Sequence, residues 1–117
     1  MKTIIFEVAA PQAAMAMLIA AASTGKPARN ARMTFPSAEA MARVLTPTRW
    51  GLVEALTGAE PLGVREFARR VGRDVKGVHT DANALVTAGV IDRTENGKLS
   101  FPYERVKVQF EIGRVAA

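Results

Sequence analysis

Apolar and polar residues alternate at both ends of the chain, a pattern typical of β-strands. Residues 2–8 and 105–112 place apolar side chains at every second position, so we predict a strand in each range. The apolar members are Ile4, Phe6 and Val8 in the first range and Val106, Val108, Phe110 and Ile112 in the second. A further short strand is predicted at 33–36. The C-terminal strand is half-buried by its pattern and needs a sheet to join.

Between these strands the apolar residues recur at three- and four-residue steps, which predicts helices. A helix rich in alanine and methionine is expected from Pro11 to about Ala22, and Ser37 is expected to cap a brief helix. Thr46 and Pro47 mark a third helix that runs to about Thr57, because a capping hydroxyl followed by proline is a helix start signal.

Residues 65–83 are the most informative stretch of the chain. They predict two short helices that meet at Gly72, where a sharp turn needs an unhindered backbone, with Asp74 capping the second. The expected inward residues are Phe67, Ala68 and Val71 on the first helix and Val75, Val78, Ala82 and Leu85 on the second. This is the arrangement of a helix-turn-helix, whose second helix enters the DNA major groove. A helical hairpin of an unrelated all-α protein is the alternative.

After Gly89 the pattern becomes alternating again, with strands expected at 90–94 and 98–101. Asn96-Gly97 between them predicts a two-residue hairpin turn in which both positions have positive φ. Three helices followed by a hairpin with a basic tip predict an α+β fold, a winged helix-turn-helix. The polar, basic stretch 25–32 divides it from an N-terminal strand-helix arm, so we assign residues 1–30 to the arm and 31–117 to the winged helix with its C-terminal strand.

The charge balance favours a polyanionic partner. Sixteen Lys and Arg against eleven Asp and Glu give a formal charge of +5 and a pI near 10.2 in 117 residues. The absence of cysteine excludes disulfides, thiolate zinc sites and cysteine nucleophiles. His79 is the sole histidine, and it has neither metal-binding partners nor a plausible catalytic triad. We therefore expect no enzyme, no cofactor and no metal.

Double-stranded DNA is the expected ligand of the second helix, predicted at 75–86. The candidate DNA-binding residues on it are Lys76, Gly77, His79, Thr80 and Asn83, flanked by Arg65, Arg69, Arg70 and Arg73, with Arg93, Asn96 and Lys98 on the wing. Lys76 is matched to guanine and Asn83 to adenine, while the flanking arginines suit backbone phosphate. We expect Asp81 to form an ion pair with an arginine such as Arg69 or Arg73, or an interhelical hydrogen bond. A solvated polar helix face is the alternative to each contact.

The apolar run from Ala13 to Ala22 has two interpretations. It resembles the core of a secretory signal, but Lys2 is the only cation before it and Glu7 cancels that charge. Ten apolar residues are also too few to span a bilayer. We therefore expect a folded helix, a cytoplasmic protein and no membrane association.

Four segments resemble a group of prokaryotic MarR-like winged-helix proteins, predicted DNA-binding transcriptional regulators, some encoded as antitoxins beside a small toxin. The segments are LTPTRWGLVEAL (45–56), VREFARRVGRDVKGVHTDANAL (64–85), AGVIDRTENGKLSFPY (88–103) and the closing VKVQF. The resemblance implies that 75–86 is the recognition helix and that the protein is a dimeric repressor. Thr80 and Asn83 depart from the pattern, so no base preference is carried over.

The leading hypothesis is thus a cytoplasmic, sequence-specific regulator that binds its own promoter as a homodimer, with an antitoxin role as a further reading. We expect the terminal strands and the alanine- and methionine-rich helix to form the dimer surface, since their apolar residues exceed what one small winged helix can bury. A cognate toxin is the other candidate partner for the arm. The alternative hypothesis is a winged-helix protein–protein interaction adaptor without DNA binding.

Overall fold

The structure, a computed structural model, describes residues 2–24 and 30–111. In this part of the chain it has a mixed α and β architecture of five helices, a three-stranded sheet and a two-stranded hairpin. The strands are β1 (Thr3–Val8), β2 (Ala31–Phe35), β3 (Asp92–Arg93), β4 (Leu99–Ser100) and β5 (Arg105–Gln109). The helices are α1 (Pro11–Thr24), α2 (Ala38–Val44), α3 (Pro47–Leu56), α4 (Val64–Val71) and α5 (Val75–Thr87).

The two ends of the described chain meet in one sheet. Its strand order is β2-β1-β5, and β1 pairs in parallel with both neighbours. Phe6 on β1 lies beside Met33 on one neighbour and Val108 on the other. The C-terminal strand therefore finds its sheet within the same chain, and the strand predicted at 33–36 is present, shifted to Ala31–Phe35.

The sequence predicts both terminal strands at a dimer surface, and this pairing gives them a partner within one chain. That a dimer surface includes either strand stays a prediction. Ile4 and Phe6 are buried in the core that the helices share, and Val106 is partly buried against it. One chain supplies both strands, so their apolar faces pack on its own helices. Among the described apolar residues at 3–8 and 105–111, Val108 and Phe110 remain exposed. The division of the chain at residue 30 stays a prediction, although β1 is the central strand of the sheet.

Local signals start α2 and α3 where the sequence predicts. The Ser37 hydroxyl accepts a hydrogen bond from the Ala40 amide at 3.0 Å, and the Thr46 hydroxyl accepts one from the Arg49 amide at 3.4 Å. Pro47 is at the first helical position of α3, where its missing N–H costs nothing. Both predicted caps are confirmed.

A single apolar core joins the sheet to the helices. The Phe6 ring lies 5.9 Å from Trp50 on α3, 6.3 Å from Phe35 on β2 and 6.4 Å from Phe101 after β4, measured between centroids. Around it, α3 buries Leu52, Val53 and Leu56. The core fixes the sheet, α3 and the end of the hairpin relative to one another.

The hairpin is present, but its turn differs from the prediction. Gly97 has φ +80°, whereas no non-glycine residue of the described chain has positive φ, which excludes the two-residue turn expected for Asn96-Gly97. The Gly97 amide donates to the Thr94 carbonyl at 2.9 Å, and the Thr94 amide donates to the Lys98 carbonyl at 2.8 Å. The chain turns over Thr94–Gly97, with glycine alone taking the left-handed position, and the strands are shorter than predicted.

Helix α1 exposes an apolar stripe. Met15, Leu18 and Ile19 lie at three- and four-residue steps, and more than half of each is exposed. None of the helices in residues 2–24 and 30–111 combines the length and apolar character needed to cross a membrane. The predicted linker falls largely on 25–29, outside the described residues.

Candidate nucleic-acid interface

Helices α4 and α5 are joined by the sharp turn that the sequence predicts. Gly72 ends α4 in the left-handed conformation, with φ +69°. The Arg73 amide then donates back to the Ala68 carbonyl at 3.1 Å, which closes the end of α4. Ala68 is buried, and its small side chain suits the close approach of the two helices.

Helix α5 is anchored by one face. The Asp74 carboxylate accepts a hydrogen bond from the Gly77 amide at 2.8 Å and caps the helix, as predicted. Val78, Ala82 and Leu85 are buried, but Val75 is 42% exposed, so its predicted inward position is wrong. The inward face of α5 begins one turn later, at Val78, because Val75 is the first residue of the helix.

The opposite face of α5 presents polar side chains to solvent. Lys76, His79 and Thr80 are exposed at i, i+3 and i+4, so they form one row. The Thr80 hydroxyl donates to the Lys76 carbonyl at 3.0 Å, a bond within the helix that leaves the oxygen able to accept another. Within the described residues, Lys76 makes no ion pair. Its charge is available to a ligand.

Gly77 has a local reason to be glycine. A Cβ atom at this position would lie 3.0 Å from one carboxylate oxygen of Asp74 and 3.3 Å from the Arg73 guanidinium. A larger residue would press on the cap of its own helix. The sequence predicts a different role for Gly77, close approach of the helix to DNA.

Asp81 holds α5 to two other parts of the fold. Its carboxylate accepts from the Arg73 guanidinium at 2.8 Å and from the Arg49 guanidinium of α3 at 3.4 Å. Burial raises the pKa of Asp81, but the hydrogen bonds from Arg73 and Arg49 outweigh burial and bring the pKa below its usual 3.8. The predicted pairing with Arg73 is confirmed, whereas Arg69 pairs elsewhere. Arg73 and Arg49 therefore fix the orientation of α5.

Glu66 reduces the charge of the arginine cluster on α4. It pairs with Arg69 at 2.5 Å and with Arg70 at 3.0 Å. Hydrogen bonds from these two arginines lower the pKa of Glu66 from 4.5 to about 2. Arg65 is exposed and makes no ion pair within the described residues. Of the four arginines at 65–73 that the sequence assigns to DNA, only Arg65 thus has no acidic partner in this part of the chain.

The hairpin is tied to α5 through Asn83. Arg93 donates to the Asn83 side-chain carbonyl, and a second nitrogen of the same guanidinium donates to the Gly97 carbonyl at 3.2 Å. The Asn83 amide nitrogen lies 3.4 Å from the His79 ring. A chain of polar contacts therefore runs from the exposed row of α5 to the hairpin tip. Asn83, assigned to adenine from the sequence, is engaged within the protein.

A groove brings together three further residues of the predicted site. It has a volume of about 610 Å³ and runs between the start of α4 and the hairpin. Arg70, Asn96 and Lys98 line it, together with the acidic Glu60 and Glu66. The hairpin tip thus faces the α4 cluster across a groove of mixed charge, and the wing residues are not separate from the helical pair.

The comparison with protein families gives one match. The family model HVO_A0114 matches residues 44–108, more than half of the chain. The chain belongs to the HVO_A0114 family. Comparisons with curated proteins and with solved structures found no match.

The HVO_A0114 region contains every residue of the predicted site. It runs from the last residue of α2 into β5, so β1, α1 and β2 lie outside it. Sequence reasoning missed two residues that the geometry adds. One is Arg49, because its position in α3 does not predict a partner on α5. The other is Val75, which is exposed. Within residues 2–24 and 30–111, no group of three or more His, Asp or Glu residues is placed to hold a metal ion.

Proposed function

We propose that the protein is a sequence-specific DNA-binding transcriptional regulator of the cytoplasm, and that residues 37–101 form a winged helix-turn-helix. In this proposal α4 and α5 are the helix-turn-helix, α5 enters the major groove of double-stranded DNA, and the β3–β4 hairpin is the wing. The resemblance to MarR-like regulators supports the further reading as a dimeric, autoregulating repressor. An antitoxin role with a cognate toxin stays a prediction.

The observation that carries the proposal is the two-faced character of α5. Its apolar face is buried, and the opposite face presents Lys76, His79 and Thr80 in one exposed row. A recognition helix needs this combination, since one side must be held rigidly while the other is free to meet base edges. The ion pairs of Asp81 with Arg49 and Arg73 hold the middle of α5 in place.

Each exposed residue has a role that fits its chemistry. Lys76 suits the acceptors of guanine, and His79 and Thr80 suit a base edge or a phosphate. Val75, at the start of the helix, offers an apolar contact for a thymine methyl group. Arg65 suits backbone phosphate, and Arg93 positions Asn83 and the hairpin rather than reading bases.

One observation favours the alternative, an interaction adaptor that does not bind DNA. Arg69, Arg70 and Arg73 all pair with carboxylates of the protein, which reduces the positive charge available to phosphate. An adaptor is expected to show no preference for its own promoter and no dependence on the exposed row of α5.

A footprinting titration on the DNA upstream of the protein's own gene separates the two. The proposal predicts a protected site on that fragment and none on a shuffled fragment of the same composition. Lys76→Ala with His79→Ala should weaken protection about tenfold or more, since each base contact contributes about 1–3 kcal/mol. Lys2→Ala, an exposed lysine before β1, is the control and should leave protection unchanged. Equal protection of both fragments contradicts the proposal.

A further inference from the structure

The outer edge of β5 is the least protected feature of the sheet. In the described part of the chain β5 is an edge strand, because β1 pairs with only one side of it. The apolar residues Val108 and Phe110 lie at its end, 43% and 48% exposed. At the other edge, β2 buries Phe35 and pairs Arg32 with Glu7 at 2.6 Å. An unpaired strand with exposed apolar residues is a template for another strand.

We propose that the β5 edge pairs antiparallel with the same edge of a second copy of this chain, with a twofold axis at Val108. The proposal extends the strand by Phe110 and Glu111, which lie beyond the last residue paired with β1. It joins two three-stranded sheets into one of six strands. It does not rest on the proposed function.

The sequence of β5 is complementary to itself in this register. An axis at Val108 places Arg105 opposite Glu111 of the second copy, and Val106 opposite Phe110. Opposite charges and apolar pairs directly across an antiparallel pair are stabilising. Charge and apolar character are therefore matched over seven residues.

The registers with an axis nearer the start of β5 are less favourable. An axis at Lys107 sets two lysines opposite each other, and an axis at Val106 sets Arg105 opposite Lys107. Like charges in directly opposed positions are destabilising. An axis at Gln109 sets Lys107 opposite Glu111 and Val108 opposite Phe110, so it is also complementary. The axis at Val108 pairs all seven described residues from 105 to 111, and cross-linking separates these two registers.

A groove beside β5 is placed to receive the second copy's phenyl ring. It has a volume of about 380 Å³. Its apolar wall is formed by Trp50 and Val53 of α3 and by Val106 and Val108 of β5, and Glu54 and Thr57 complete the lining. Residues directly opposite in an antiparallel pair point to the same face of the sheet. Phe110 of the second copy, opposite Val106, would therefore enter this groove and cover its apolar wall.

The symmetry of this pairing has a consequence for the proposed function. Antiparallel pairing of identical edges requires a twofold axis normal to the sheet, because each strand must keep its face. The helices that pack on this face in the two copies then lie on the same side of the six-stranded sheet. Two copies of α5 on one side are what a symmetric contact with a single duplex needs.

Cysteine cross-linking of the full chain tests the proposal, since the natural sequence has no cysteine. With oxidised glutathione, Val108→Cys should form a disulfide-linked dimer, because the axis brings this residue opposite itself at a separation that a disulfide spans. Val106→Cys and Phe110→Cys should each stay monomeric on non-reducing gels, yet cross-link when the two variants are mixed. Leu18→Cys, on the exposed stripe of α1, is the matched control and should not cross-link.

Light scattering of the unmodified chain over a dilution series completes the test. The proposal predicts a mass twice the 12.5 kDa of one chain, and loss of that dimer in Val108→Glu while the circular dichroism spectrum is retained. A monomer at every concentration overturns it. Cross-linking through Leu18→Cys in place of Val108→Cys also overturns it, as does self-cross-linking of Gln109→Cys alone. Footprinting by a monomer would leave DNA binding by α5 standing and would contradict only the dimeric reading, so the two failures are distinguishable.

Discussion

Arg93 on β3 donates a hydrogen bond to the side-chain carbonyl oxygen of Asn83 on α5. The same guanidinium donates to the Gly97 carbonyl within the hairpin, so Arg93 connects the hairpin turn to the helix. Because the Asn83 oxygen is engaged, a bidentate contact to adenine requires that Arg93 first release it. The contact sets the position of the hairpin before any ligand binds.

A double-mutant cycle on this pair measures the link. Asn83→Ala and Arg93→Ala should each lower the free energy of unfolding, with a coupling of about 0.5–1 kcal/mol, typical of a hydrogen bond to a charged donor near the surface. Urea unfolding of the wild type, both single variants and the double variant gives the coupling. Strictly additive effects would show that the two side chains do not interact in solution.

Replacement of Asp81 should destabilise the fold more than replacement of an exposed carboxylate. Asp81→Asn removes the charge that Arg49 and Arg73 share, and we expect a loss of about 1–3 kcal/mol in the free energy of unfolding because the side chain is only 17% exposed. Asp92→Asn makes the same chemical change on an exposed residue that has no ion pair within the described chain, and it should change stability by less than about 0.5 kcal/mol. Similar losses in both variants would mean that the ion pairs of Asp81 with Arg49 and Arg73 do not contribute to stability.

Glu66 predicts a pH dependence with a definite sign. Its pKa is about 2 in the folded chain against 4.5 for the unperturbed group, so its stabilising contribution is complete above pH 4.5 and is lost as the pH falls through 2. Carbon-13 NMR should place the titration of the Glu66 carboxyl near pH 2. Arg69→Ala with Arg70→Ala should return it toward 4.5, and an unchanged midpoint in that variant would exclude the arginines as the cause.

Gly97 and Asn96 in the hairpin turn should respond differently to replacement by alanine. Gly97→Ala should lower the free energy of unfolding by about 1–2 kcal/mol, because φ at this position is +80° and a side chain is strained there. Asn96→Ala should have a much smaller effect, since Asn96 does not have positive φ. Thermal unfolding of both variants checks the difference. Equal losses would instead support the two-residue turn in which both residues have positive φ.

Local contacts explain what the sequence could predict. Ser37, Thr46 and Asp74 each cap a helix through an amide three residues later, so both partners stand close together in the sequence. The turn at Gly72 is equally local. Such signals predict where α2, α3 and α5 begin without knowledge of the fold.

Contacts between distant parts of the chain explain what the sequence could not predict. The alternation in residues 2–8 and 105–112 predicts two strands, but it does not show that β1 and β5 pair in parallel within one chain. Arg49 and Asp81 are 32 positions apart, and their pairing depends on how α3 packs against α5. The helical repeat predicts an inward Val75 because it does not show where the contact with the neighbouring helix begins.

The most direct test of DNA binding by α5 is the dependence of the dissociation constant on salt. Wild type, Lys76→Ala and Lys2→Ala should be titrated onto the upstream fragment over a range of salt concentrations. Loss of a phosphate contact reduces the slope of log K against log salt by about 0.9, whereas loss of a lysine that makes no contact leaves it unchanged. If Lys76 contacts a base alone, affinity falls at every salt concentration with the slope retained. The proposal predicts one of these two changes for Lys76→Ala and neither for Lys2→Ala; indistinguishable curves for the two variants, or no preference for the upstream fragment, would contradict it.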